Sequence, residues 1–245
     1  SSEARGVISS NEETESPLTP QNPIQKTLET LDNIGYEQLQ LPIQALNIVY
    51  RINNSEIPDE QPTVSAMVGS QGLRTILQDL KNGQFQYHES APRIFRPDQI
   101  AKYSKKIATI VNLINTAQRG ITLIYSEFLD AGVVPMALAL EESGFSRFPG
   151  TRGEQTRSLL VTTKPTQKRY AMITGSNVYS PNNKDELRTL TAESNKNGEQ
   201  IQVVLITRAG AEGIDFKNIR QIHIMEPWYN MSRIGSGLYF KQRTA

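Results

Sequence analysis

Residues Ile201 to Ile234 read IQVVLITRAGAEGIDFKNIRQIHIMEPWYNMSRI. An apolar run, Ile201 to Thr207, leads into a turn of small residues that finishes on an acid, Asp215. A second apolar run, Ile219 to Met225, follows and leaves through Pro227, Trp228 and Tyr229. Two apolar strands separated by a small-residue turn suit a parallel α/β sheet, whose strand ends hold phosphate-bearing ligands.

Working outward, the same alternation recurs. Ile121 to Tyr125 is an apolar strand ending at Ser126, and Tyr170 to Thr174 is another ending at Gly175. Val133 to Glu142, closed by Gly144, and Lys184 to Glu193 read as helices. Asp98, just after Pro97, reads as the cap of a helix whose face is Ile100, Tyr103, Ile107, Ile110, Val111 and Ile114, ended by Gly120. Gly69 opens a helix running through Leu80, and Gly83 to His88 is a short strand. Strands alternating with helices predict an α/β fold, three-layered, with a mainly parallel sheet. Ahead of it, Ile24, Leu28, Leu31 and Ile34 keep helical spacing, and Pro42 interrupts a second apolar run, Leu39 to Tyr50. Residues 53–62 (NNSEIPDEQP) read as a linker, and the Ser/Glu-rich start lacks periodicity. The predicted organisation is a tail over 1–22, a helical insertion and linker over 23–62, and the α/β domain over 63–245.

Composition narrows the chemistry. With 26 basic and 25 acidic residues the net charge is +1, so any nucleic-acid contact is local rather than global. The chain has no cysteine, which excludes disulfides and thiolate metal sites. His88 and His223 are too far apart in sequence to read as a metal pair, and His223, inside an apolar strand, reads as a satisfied core residue. No apolar run approaches the ~20 residues of a membrane span, so a soluble intracellular protein with no membrane partner is expected.

Three predicted strand tips carry small polar groups: Ser126, Gly175-Ser176 and Thr207-Arg208. Together they form a neutral-to-basic ledge suited to a sugar-phosphate backbone and unable to read bases. Asp215 can accept from a ribose hydroxyl or orient a basic partner. From spacing alone, the Thr207 to Asp215 stretch serves equally well as a glycine-rich turn between core strands. Trp228 and Tyr229 could stack on a base, although packing is the plainer reading for Trp228. Gly69 to Arg74 (GSQGLR) lacks a following Gly-Lys-Ser/Thr and is no phosphate loop, and Lys nowhere follows Gly. Asp185-Glu186 reads as a solvated helix start complementing the dipole. Arg147, Arg152, Arg157, Lys164, Lys168 and Arg169 read as a solvated basic loop.

Gln40 to Tyr50 (QLPIQALNIVY), Gly69 to Arg74, Gly120 to Phe145 (GITLIYSEFLDAGVVPMALALEESGF) and Gln202 to Ile234 carry a resemblance to the helicases and translocases of superfamily two. Within it the chain is similar to the large-DNA-virus branch, the helicases and early-transcription-factor-like ATPases of giant viruses and poxvirus relatives. Gly120 to Ser126 resembles motif IV, and the stretch through Asp215 resembles motif V. The resemblance implies a second RecA-like domain, the C-terminal half of an ATP-dependent motor. It places Glu212, Gly213 and Asp215 at the nucleotide cleft, and Ser126, Gly175, Ser176, Thr207 and Arg208 on the nucleic acid. ATP and Mg²⁺ would bind in the intact enzyme, between this domain and a first RecA-like domain that carries the phosphate loop. Partners would be a DNA or RNA backbone, that first domain and viral transcription machinery, in the virion or host cytoplasm. The family's arginine pair is absent after Ile234, where Gly235-Ser236-Gly237 reads as an engineered junction, and because neither Walker A nor Walker B is present the chain alone is expected to be inactive. The alternative reading is a non-catalytic RecA-like module that docks a viral transcription or processing partner.

Overall fold

The computed structural model describes residues 36–50, 63–117, 119–151, 156–211, 214 and 216–226. The chain divides into two units, Ser1–Leu39 and Gln40–Ala245, and the sheet lies in the second. Its strands in chain order are β1 (Leu77–Asp79), β2 (Phe85–Tyr87), β3 (Ile121–Tyr125), β4 (Ser146–Arg147), β5 (Arg169–Ile173), β6 (Val203–Ile206) and β7 (Ile219–Ile224). β1 and β2 form an antiparallel pair. The other five make one sheet in the order β4-β5-β6-β3-β7, and every neighbouring pair is parallel. The α/β class and parallel sheet expected from the sequence are therefore present.

The sheet is buried on both faces, as parallel strands joined by crossover connections require. Along β5, Tyr170 and Met172 point to one core, while Ala171 and Ile173 point to another. Along β6, Val203 and Leu205 alternate with Val204 and Ile206 in the same way. A strand buried on both faces reads as a continuous apolar run. One face is covered by the helices Lys105–Thr116, through Ile107, Ile110, Val111 and Ile114, and Val134–Glu142. Leu190, Phe148 and Phe216 pack on the other. Ile48 and Tyr50 are fully buried in the first core.

Several local expectations are corrected. The cap of the helix Lys105–Thr116 is Ser104, whose Oγ accepts from the Ile107 N–H at 3.0 Å. Asp98 instead accepts from Arg96 and Gln99, and Ile100–Lys102 is a separate 3₁₀ turn. The helix starting at Gly69 stops at Ile76, because Leu77 to Asp79 pairs with β2. Pro42 lies inside the helix Tyr36–Asn47, which forgoes one backbone bond rather than ending there. β4 was not expected. Arg147 in it is buried, not solvated, since its guanidinium donates to Glu186 Oε1 at 2.9 Å. Glu186 is likewise fully buried and not on a solvated helix start. His223 is half-buried, and its Nε2 has no hydrogen-bond partner among the described residues, so it is not the satisfied core histidine expected. Burial holds its pKa below the usual histidine value.

Candidate nucleic-acid interface

Parallel strands end at one edge, so β3, β5, β6 and β7 deliver Ser126, Thr174, Thr207 and Met225 side by side. At this edge lies an open cavity of ≈ 550 Å³, lined by Glu127, Leu129, Gly175, Ser176, Thr207, Arg208 and Ala209. Gly175, Ser176, Thr207 and Arg208, which the sequence singled out on two different strand tips, thus share one concave surface.

Backbone fit explains the small residues. A Cβ on Gly175 would lie 2.6 Å from Ala209 Cβ, and one on Gly210 would lie 1.9 Å from the Ile173 carbonyl oxygen. The short helix Arg208–Ala211 therefore presses directly on the end of β5. The Thr207 N–H donates to Ile173 O at 3.2 Å, and the Gly210 N–H to Thr207 O at 3.1 Å. The β5 tip is fixed by Ser180, whose Oγ accepts from the Thr174 N–H at 2.9 Å and donates to Met172 O at 2.7 Å. Thr174 Oγ1 in turn accepts from the Ser176 N–H at 3.2 Å. Arg208 is 54% exposed and 3.9 Å from Glu127 Oε1, so it can turn toward a ligand.

Ser126 sits differently. It is fully buried beneath the ledge, and its hydroxyl donates to Glu226 Oε1 at 2.5 Å. Glu226 is the hub of a buried polar network that sequence reading missed. The Asn47 side-chain amide also donates to its Oε1, and the Glu127 N–H donates to its Oε2 at 3.0 Å. Lys106 Nζ donates to Asn47 Oδ1 at 2.7 Å and to Met225 O at 2.6 Å. Ser104 Oγ donates to the Asn47 carbonyl at 2.5 Å. Burial pushes the Glu226 carboxyl up, while these hydrogen bonds and the Lys106 charge oppose the shift. Gly132 makes room: a Cβ there would lie 1.8 Å from Ser126 Oγ. The only sequence signal for this hub is a single acid directly after an apolar strand, which by itself names no partner.

Glu212, Gly213 and Asp215, the expected nucleotide-cleft residues, lie outside the described residues, as do Trp228 and Tyr229. Among the described residues no helix is long and apolar enough to cross a membrane, and no group of three His, Cys, Asp or Glu could hold a metal ion.

No family model matches the chain. It is 30% identical over 156 residues to the "Termination factor NPH-I homolog" of African swine fever virus (isolate Tick/Malawi/Lil 20-1/1983), covering 53% of this chain and 21% of that protein. It is 32% identical over 136 residues to a "Putative ATP-dependent RNA helicase" of Acanthamoeba polyphaga mimivirus, covering 56% and 24%. A "Putative helicase" of Invertebrate iridescent virus 3 is 27% identical over 186 residues, covering 74% and 18%. The homologues are thus viral termination factors and helicases, the relatives the motif residues pointed to. The matched part spans about a fifth of the length of these relatives.

Proposed function

We propose that the chain is the C-terminal motor half of a viral ATP-dependent helicase or translocase. In this reading 63–245 is the second RecA-like domain, 23–62 a helical inter-domain insertion with its linker, and 1–22 a tail. The observation that carries it is the open cavity at the C-terminal edge of a parallel sheet, where Gly175, Ser176, Thr207 and Arg208 converge. Strand-tip backbone, the Ser176 and Thr207 hydroxyls and one guanidinium can hold phosphates by charge and hydrogen bonds without reading bases. Ser126 supports this ledge from below through Glu226 rather than offering its own hydroxyl.

ATP supplies the free energy of hydrolysis, with Mg²⁺ on its phosphates. The chain has no Gly-Lys-Ser/Thr loop, so the phosphate cradle falls to the first RecA-like domain. Glu212, Gly213 and Asp215 would form the facing wall. The resulting protein works on a nucleic-acid backbone inside the infected cell or virion.

The test separates the two ligands. In the intact motor, Thr207→Ala and Arg208→Ala should weaken nucleic-acid binding more than nucleotide binding, and Asp215→Ala should do the reverse. Arg208→Ala should also lower the salt slope of nucleic-acid binding by about one. The 245-residue chain alone should show no nucleic-acid-stimulated ATPase. Equal loss of both affinities in all three variants, with early melting, would make the turn structural.

A further inference from the structure

The ledge contains a group that a plain phosphate site would exclude. Glu127 lines the cavity beside Arg208 and Thr207. Its side chain is only 18% exposed and is held in place. The Tyr125 hydroxyl donates to its Oε2 at 2.7 Å, and its own N–H is tied to the buried Glu226 at 3.0 Å. Oε1 accepts no hydrogen bond among the described residues. Its neighbouring cation, Arg208, stands at 3.9 Å, beyond hydrogen-bond range and half in solvent. So loose an ion pair contributes little and does not account for the carboxylate.

A fixed carboxylate with an open oxygen must meet whatever occupies the cavity. A carboxylate only accepts. The backbone of DNA carries acceptors alone, so beside it Glu127 contributes repulsion and nothing else. The backbone of RNA carries one donor per nucleotide, the 2′-hydroxyl, next to the phosphate that Arg208 would hold. We propose that Glu127 is the acceptor for a ribose 2′-hydroxyl, and that the ledge therefore selects RNA over DNA. This inference rests on the ledge reading above and adds to it a choice of sugar. Arg208 and the strand-tip backbone take the phosphate, and Glu127 Oε1 takes the hydroxyl. A site built to bond a hydroxyl rejects the analogue that lacks it, because its own polar group is then left unpaired.

The test uses the 245-residue chain and three labelled dodecamers of one base: uridine, deoxyuridine and 2′-O-methyluridine. Binding is read by fluorescence anisotropy across a salt series. The ribose strand should bind about tenfold tighter than either of the others, the scale of one hydrogen bond to a charged group. Glu127→Ala should tighten the deoxy strand and bring the ribose-to-deoxy ratio near one. Glu127→Gln keeps a single carbonyl acceptor, for Tyr125 or for the hydroxyl but not both, and should tighten both strands while retaining at most part of the ratio. A gain for the deoxy strand cannot come from a protein that has lost its fold. A ratio of one in the unmodified chain overturns the inference, as does a ratio that survives Glu127→Ala. Equal gains for all three strands would make Glu127 merely a counter-ion of Arg208 and overturn it too. If the 2′-O-methyl strand binds like ribose, the donor role is refuted. Absence of binding to every strand would overturn the ledge reading itself and this inference with it.

Discussion

Replacing Glu226 tests whether the ledge stands on the network beneath it. Glu226 is 4% exposed and accepts from Ser126 Oγ, the Asn47 amide and the Glu127 N–H. Glu226→Ala strands three donors and removes the charge facing Lys106. Each buried donor left without an acceptor costs about 1–3 kcal/mol, and local relaxation recovers part of that. With three donors stranded and partial relaxation, we take about 3 kcal/mol as the expected loss. Glu226→Gln keeps the volume and one carbonyl acceptor but turns an NH₂ toward a donor, so about 1–2 kcal/mol is expected. Urea unfolding followed by circular dichroism gives both values. The pH dependence separates charge from shape. Burial raises the folded Glu226 pKa, so the folded chain holds this proton more tightly than the unfolded one. That contribution is fully present below the ordinary glutamate value of ~4.3 and is lost as pH rises through the folded value. Glutamine does not titrate. The stability gap between unmodified chain and Glu226→Gln should therefore be widest in acid and narrow as pH rises. If Glu226→Ala lost less than about 1 kcal/mol, or the gap widened with pH, the network as described would be refuted.

Two further outcomes follow from packing. Gly210→Ala places a methyl 1.9 Å from the Ile173 carbonyl and must shift the Arg208–Ala211 turn off β5; we expect a loss of about 1–3 kcal/mol and weaker nucleic-acid binding, measured by melting and anisotropy on the same preparation. Arg147→Met leaves Glu186 buried without its cation and should cost about 3–5 kcal/mol, whereas the double change Arg147→Met with Glu186→Leu should recover most of it in a urea series.

The fold was legible where burial is two-sided. β3, β5 and β6 sit in apolar runs because they are buried along almost their whole length, whereas β7, IRQIHI, is buried only at Ile219 and its run is broken by Arg220, Gln221 and His223. β4 was hidden because its two residues, Ser146 and Arg147, are polar. Arg147 is inside only because Glu186, 39 residues along the chain, meets it there. Such a pair leaves no periodicity for either residue to reveal. The misplaced cap has a similar cause. Asp98 and Ser104 are both fit to cap a helix, and the 3₁₀ turn Ile100–Lys102 between them decides which one does.

The ledge was legible for a topological reason. Once strands are parallel, their C-terminal tips share an edge, so Gly175, Ser176, Thr207 and Arg208 could be grouped without knowing any distance. Depth was not legible. Ser126 and Thr207 both follow apolar strands and both are buried, yet only Thr207 lines the cavity, because Glu226, 100 residues away in sequence, draws the Ser126 hydroxyl inward. Exposure at a strand tip depends on what the neighbouring tip carries. At β7 that is a carboxylate, which needs donors once buried, and Ser126 and the Glu127 N–H are the nearest that β3 can offer. Satisfying Glu226 fixes the backbone of Glu127 and leaves the Glu127 side chain at the cavity wall beside Arg208. The same buried acid that withdraws one expected contact thus places another group at the ligand, and the sugar preference tested with Glu127 depends on Glu226 staying where it is.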